Sequence, residues 1–202
     1  ARAGQASGVM ALRILGISGS LRADSHNSRL LAAAARLLPA EVEYVRFEGL
    51  KALPPFDEDD EGDPGPAVEH LRAEIGAADG LLFATPEYNS SIPGQLKNAV
   101  DWASRPFEAT VIRNKNAVVI GASTSMFGAV WAQAELRKVL GAAGARVIDR
   151  ELAVSYAEEQ FDPEGRLVEP ALQAVLEEIV GELVEQARVS TASRASREAA
   201  RS

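Results

Sequence analysis

Residues 14–28 read ILGISGSLRADSHNS and run directly into RLLAAAARLL at 29–38. The apolar run breaks at Ser18 into a turn carrying Gly19, Ser20, Arg22, Ser25, Asn27 and Ser28. Beyond it, Leu30, Leu31, Ala34, Leu37 and Leu38 recur at the spacing of one helical face, and Pro39 ends the pattern. The reading is strand, polar turn, helix, with the helix beginning near Asn27 or Ser28. The first N–H groups of a helix have no internal acceptor and carry the positive end of its dipole. A phosphate satisfies them, short hydroxyl side chains add donors without bulk, and Gly19 lets the backbone come close. No Gly-Lys-Ser/Thr follows and no G-x-G-x-x-G is present, so the turn suits one phosphate rather than a nucleotide polyphosphate or a dinucleotide. The plainer alternative is a Ser-rich turn whose side chains merely cap the helix.

Outward from this stretch, strands are expected at 12–17, 42–47, 80–84, 116–122 and 146–154. Helices alternate with them, over 66–78 with Val68, Leu71 and Ile75 inward, around Leu96, Ala99, Val100 and Ala103, over 130–141, and along the stripe from Leu172 to Val184. Such alternation implies right-handed βαβ units, hence an α/β fold with a parallel sheet covered on both faces. Ligands of these folds sit beyond the carboxyl ends of the strands, where strand order reverses. The loops after the first, third and fourth strands are the ones rich in Ser, Asn and Gly, and all three leave the same edge. A long segment at 50–66 contains the acidic run DEDDE at 57–61, which lacks calcium-loop spacing and reads as a solvated loop.

The 202-residue chain is 47% hydrophobic, enough for one domain with a buried core, expected over 11–189. Residues 1–10 are expected to be a disordered N-terminus or a remnant ahead of a natural start at Met10, and 190–202 a disordered tail. With 29 acidic residues against 21 basic, the formal net charge of -8 argues against nucleic acid or an anionic membrane as partner. Cysteine is absent, so disulfides, thiolate metal sites and a Cys nucleophile are excluded, and two histidines make an imidazole metal site or a Ser-His-Asp triad improbable. No run approaches a membrane span, and a cytoplasmic location is expected.

Three runs together carry a family resemblance: GSLRADSHNS at 19–28, TPEYNSSIPGQLKNAVDW at 85–102 and GASTSMFGAVWAQAELRKVL at 121–140. They resemble the NADPH-dependent FMN reductase family, the flavodoxin-like group that includes bacterial quinone and chromate reductases, over about residues 12–185. The P-E-Y-N-x-S-x-P-G-x-L-K-N-A-x-D-W block is the most specific part. The resemblance implies a flavodoxin-like doubly wound five-stranded sheet of order 2-1-3-4-5, bound FMN, and NADPH or NADH as cosubstrate. Carried over by motif, Ser18, Ser20, Arg22, Ser25, Asn27 and Ser28 would hold the FMN phosphate. Pro86, Glu87, Tyr88 and Asn89 would line the isoalloxazine, and Ser123, Thr124 and Ser125 would close its other side, with Ser125 standing where the family usually has glycine.

The chemistry implied is hydride transfer from NAD(P)H to FMN N5, then electron transfer to a quinone, free flavin or similar small acceptor. The cofactor carries that reaction, so no side-chain base is required and no catalytic residue or metal ligand is assigned. Glu87 as a general acid and His26 as a ligand are disfavoured. The resemblance also implies a homodimer or dimer of dimers, with Trp102 and the Leu96/Val100 face open to either dimer contact or core. The alternatives are a noncatalytic flavodoxin-like electron carrier, a reductase supplying reduced FMN to a monooxygenase, and a simple phosphate-sugar binding module.

Overall fold

Strands β1 (Leu12–Ser18), β3 (Gly80–Thr85) and β4 (Asn116–Ala122) form the middle of a parallel sheet, with β2 (Val42–Phe47) at one edge. The structure, a computed structural model, describes residues 11–200. The expectation for residues 1–10 lies outside the described residues. Every residue of β3 and β4 is buried, as continuous apolar strands require when helices cover both sheet faces.

Side chains alternate between two cores. Leu15, Ile17, Leu81, Phe83, Ala117 and Val119 join the core beneath α2 (Pro66–Ala77), α3 (Gly94–Ala103) and α4 (Val130–Ala142). Ile14, Leu82, Val118 and Ile120 join the other, beneath α1 (His26–Ala35) and α5 (Pro170–Ala199). With β5 at Arg146–Val147, the strand order is β2-β1-β3-β4-β5, the flavodoxin-like order, so the chain reverses direction across the sheet between β1 and β3.

Two expectations change. The fifth strand is split into β5 (Arg146–Val147) and β6 (Ala153–Val154), both paired to β4. Between them Asp149, Arg150 and Glu151 are consecutive exposed charges that cannot alternate inward and outward. They turn out to ion pairs instead, Arg150 to Glu182 at 3.0 Å and Arg137 to Glu151 at 3.2 Å. The expected tail is also corrected, because α5 continues to Ala199. Its last turns are rich in helix-forming Ala and Arg, and Thr191 and Arg194 bond Asp79 at 3.1 and 2.7 Å.

Trp102, Leu96 and Val100 prove to be core. The Trp102 indole N–H donates to Pro54 O at 2.8 Å, and Phe56 packs edge-on against its ring with centroids 4.9 Å apart. The acidic run is an exposed single turn, Glu58–Asp60, with Glu61 paired to Arg105 at 3.0 Å. Among the described residues no group of three or more His, Asp or Glu is arranged to hold a metal.

Candidate functional site

The three polar loops meet at the carboxyl edge of the sheet, on either side of the β1/β3 reversal. Ser25, not Asn27 or Ser28, is the N-cap of α1, its Oγ accepting from Ser28 N at 3.3 Å. The N–H groups of His26 and Asn27 follow, and neither has an acceptor among the described residues. Ser18 Oγ accepts from Ser20 N and from Ser28 Oγ, each at 3.3 Å. Ser20 Oγ accepts from Arg22 N at 3.4 Å, which folds the turn back on itself. Arg22 is exposed, and its guanidinium has no hydrogen bond or ion pair among the described residues.

Gly19 sits against its neighbours: a Cβ there would lie 2.8 Å from Leu96 Cδ2 and 3.3 Å from Pro86 Cδ. Its N–H donates to Ala84 O at 2.8 Å, tying the first loop to the end of β3.

Asn27 does not present its side chain to this cradle. It is buried, its Nδ2 donating to Ala122 O at 2.9 Å and its Oδ1 accepting from Ala122 N at 3.0 Å. The pairing has a simple cause. Thr85, the last residue of β3, is opposite Gly121, so the ladder stops one position short of Ala122. The Asn27 amide, a donor and an acceptor on one plane, serves Ala122 in its place.

In the second loop Tyr88 and Ser91 exchange main-chain bonds of 3.0 and 3.1 Å around Asn89 and Ser90, whose φ values are 53° and 59°. Two consecutive left-handed residues define a type I′ turn, and asparagine is among the residues that tolerate that conformation. The turn holds the Tyr88 ring 54% exposed at the edge. Thr85 Oγ1 donates to Pro86 O at 2.8 Å within the buried strand end.

Glu87 acts as a remote cap. One oxygen, Oε2, accepts from the N–H groups of Trp131 and Ala132, both at 3.0 Å. The residue preceding α4, Ala129, has φ 63° and no capping side chain, so the carboxylate from the neighbouring loop fills that role. Ser91 Oγ donates to Glu135 on the same helix at 2.6 Å.

In the third loop Ser123 Oγ donates to Ser125 Oγ and accepts from Ser125 N, each at 3.1 Å, and Ser125 Oγ accepts from Phe127 N at 3.4 Å. Ser125 thus uses its hydroxyl within the loop, while Thr124 is exposed. The loop is held from below by segment 154–157, with Ser123 N donating to Val154 O, Ala157 N to Ser123 O and Tyr156 N to Ser125 O at 3.0 to 3.2 Å. Gly128 has φ 57°, and a Cβ there would come within 2.5 Å of the Ala153 carbonyl carbon. Met126, Phe127 and Trp131 stay 60, 47 and 46% exposed, with the Phe127 and Trp131 ring centroids 4.7 Å apart.

His26 stacks on Phe161 with centroids 6.5 Å apart and its buried Nδ1 has no partner among the described residues. Burial first, then the cations Arg22 and Arg29, hold its pKa below the usual imidazole value.

Sequence reasoning missed the capping role of Glu87, the support from segment 154–157, and Gln133. The last is fully buried, donating to Gly128 O at 3.2 Å and accepting from Leu152 N at 3.3 Å. Its signal was available: a glutamine at a core position of the α4 stripe that includes Leu136 and Leu140.

Topology and site together define a flavodoxin-like α/β protein in which the first turn of α1, with two open N–H groups, lies at the strand-order reversal. Residues 12–159 match the family described as NADPH-dependent FMN reductase, and the chain belongs to that family, an oxidoreductase family working with FMN and NADPH. Among curated relatives, the NAD(P)H-dependent FMN reductase of Pseudomonas aeruginosa is 42% identical over 170 residues, covering 83% of this chain and 90% of that protein. The quinone reductase of Escherichia coli K12 is 32% identical over 177 residues, covering 85% and 92% respectively. Among solved structures, the NAD(P)H:(acceptor) flavoenzyme FerB of Paracoccus denitrificans superposes with a TM-score of 0.78 at 30% identity, covering 88% of this chain and 97% of that one. The family and the fold expected from the three motif runs are thereby borne out. No helix among the described residues is long and apolar enough to cross a membrane.

Proposed function

We propose that the chain reduces a quinone, free flavin or similar flat small molecule with NAD(P)H, holding FMN at the carboxyl edge with its phosphate on the first turn of α1. The observation that carries this reading is the open N–H pair of His26 and Asn27 beside a guanidinium, Arg22, with no carboxylate partner among the described residues. A dianion there meets a helix dipole, main-chain donors and a bidentate cation at once. Ser18, Ser20 and Ser28 add hydroxyls, and Ser25 contributes by fixing the helix start. Asn27 takes part through its N–H, its side chain being engaged by Ala122. Gly19 lets the first loop pack against Leu96 and Pro86, which holds the cradle beside the second loop.

When bound, FMN supplies the chemistry, accepting hydride from NAD(P)H at N5 and passing electrons to the acceptor. The residues of the chain bind and orient. Pro86, Glu87, Tyr88 and Asn89 form one wall, shaped by the type I′ turn and braced on α4 through Glu87. Ser123, Thr124 and Ser125 form the other, held by segment 154–157. Glu87 Oε2 is engaged by two main-chain donors, so that oxygen braces the wall on α4.

The exposed cluster of Met126, Phe127 and Trp131 beside this edge supports a homodimer, or a dimer of dimers, joined next to the site. Light scattering on the purified chain measures the mass, and Trp131→Ala is expected to lower it. For the function, the test is anaerobic titration of the FMN-loaded protein with NADPH and NADH while the flavin spectrum is followed. Full two-electron bleaching, and NAD(P)H oxidation on adding a quinone, are expected. Protein that takes up no FMN and does not speed NAD(P)H oxidation with a quinone sinks the proposal.

A further inference from the structure

At the opposite, amino-terminal edge of the sheet, a cleft of about 410 Å³ gathers five cations against two carboxylates in a chain whose formal net charge is -8. It lies across the length of β4, seven residues, so roughly 20 Å from the carboxyl edge. The cations come from three places: the turn before β4 (Arg113, Lys115), the start of β5 (Arg146) and the last turns of α5 (Arg194, Arg197).

Two are already satisfied. Arg194 bonds Asp79 at 2.7 Å, and the Lys115 ammonium donates to Gly76 O and Ala78 O. The other three guanidiniums meet neutral acceptors. Arg113 donates to Phe107 O at 2.8 Å and lies over the Phe107 ring, and Arg197 donates to Ser193 O at 3.3 Å. Arg146 reaches Ser190 Oγ and Asn114 Oδ1 at long range, 3.4 Å each. None of the three has an ion pair among the described residues.

The floor is built rather than incidental. Asn116 is 2% exposed and donates through Nδ2 to Gln186 O at 3.0 Å and Ser190 Oγ at 2.9 Å. Ser190 Oγ therefore accepts from both Asn116 and Arg146, which leaves its own proton to donate elsewhere. The second carboxylate, Glu198, and the negative end of α5 reduce the field without cancelling it. Lys115 reports that field: burial first, then the Arg194 charge, lowers its pKa, with Asp79 opposing.

We propose that this cleft is a second anion site, taking a phosphate-bearing small molecule through Arg113, Arg146, Arg197 and the Ser190 hydroxyl. Planar guanidiniums match phosphate oxygens bidentately, and a hydroxyl with an unassigned proton supplies the neutral donor. Because Ser190 and Arg197 lie on the end of α5, occupancy ties that helix end to the sheet.

The test is calorimetry on the FMN-loaded full chain with pyrophosphate, ADP and sulfate at matched ionic strength. Saturable binding of pyrophosphate at one site per chain is expected, weakened at least about tenfold in the double variant R113Q/R146Q. The exposed control Lys51→Gln should leave this binding unchanged. ADP binding tenfold tighter than pyrophosphate identifies a nucleotide as the source of the phosphate, and equal affinity identifies the free anion. Slower amide exchange over 190–199 on adding pyrophosphate to the unaltered chain gives a readout that needs no variant. Heats no larger than those of sulfate, or binding kept in R113Q/R146Q, overturns the site.

Discussion

Replacing Asn27 by alanine removes the one group that serves both polar atoms of Ala122 on the side where β3 has ended. Both are buried, Asn27 being 3% and Ala122 2% exposed, so water does not reach them without local opening. An unsatisfied buried polar group costs about 1–3 kcal/mol, and two such groups with some relaxation put the loss at about 2–4 kcal/mol. For a chain of this size that is a fall in melting temperature of about 5–15 °C. Urea unfolding of apo-protein followed by far-ultraviolet dichroism measures it, with the slope against urea unchanged if the two-state comparison holds. Asn27→Asp keeps the acceptor and loses the donor, placing a carboxylate beside the Ala122 carbonyl, so it should not rescue. A loss below about 0.5 kcal/mol for Asn27→Ala, within the usual effect of an ordinary surface substitution, would refute the view that the amide completes the ladder beside Pro86.

Glu87→Ala should destabilise by about 1–2 kcal/mol in the same assay through loss of the α4 cap, and Glu87→Gln, which keeps the acceptor without the charge, by less. Arg22→Ala should weaken FMN retention by about 10- to 100-fold while leaving turnover at saturating FMN unchanged, as read by flavin fluorescence and steady-state rates. His26 has its pKa lowered by burial and by Arg22 and Arg29, so the unfolded chain takes up the proton first on acidification. Stability should therefore fall as pH drops through the unfolded value of about 6.5, and His26→Asn should flatten that part of the pH profile in urea titrations. The Tyr44 hydroxyl is buried without a partner and burial raises its pKa to about 12. Tyr44→Phe should gain about 1 kcal/mol at pH 7 and abolish the extra loss of stability between the unfolded value, about 10, and 12.

The strand-turn-helix at 14–28 and the buried runs at 80–85 and 116–122 were legible because parallel strands covered on both faces are written as uninterrupted apolar residues. The split of the last strand was harder, since Val147, Ile148 and Leu152 read as one strand while the charges between them find partners on α4 and α5, distant in sequence. The end of α5 failed for a similar reason: small and charged residues look like a tail until Asp79 is known to receive two of them.

At the site, composition marked the polar loops but not the direction of each side chain. Asn27 looked like a ligand because Asn in a Ser-rich turn is ambiguous, and its true partner is 95 residues away. At Glu87 nothing local revealed that α4 begins without a cap of its own.

The Glu87 contact also bears on which anions the carboxyl edge accepts. The starts of α1 and α4 flank the first and third loops, and the protein fills the second of them with its own carboxylate. Of that pair, the α1 start is left to a ligand. A mononucleotide has one terminal phosphate for it, whereas a ligand whose charge must be shared between both helices meets a like charge at the second. The internal cap therefore works as a selectivity filter, sorting ligands by how their charge is distributed before any ring is recognised.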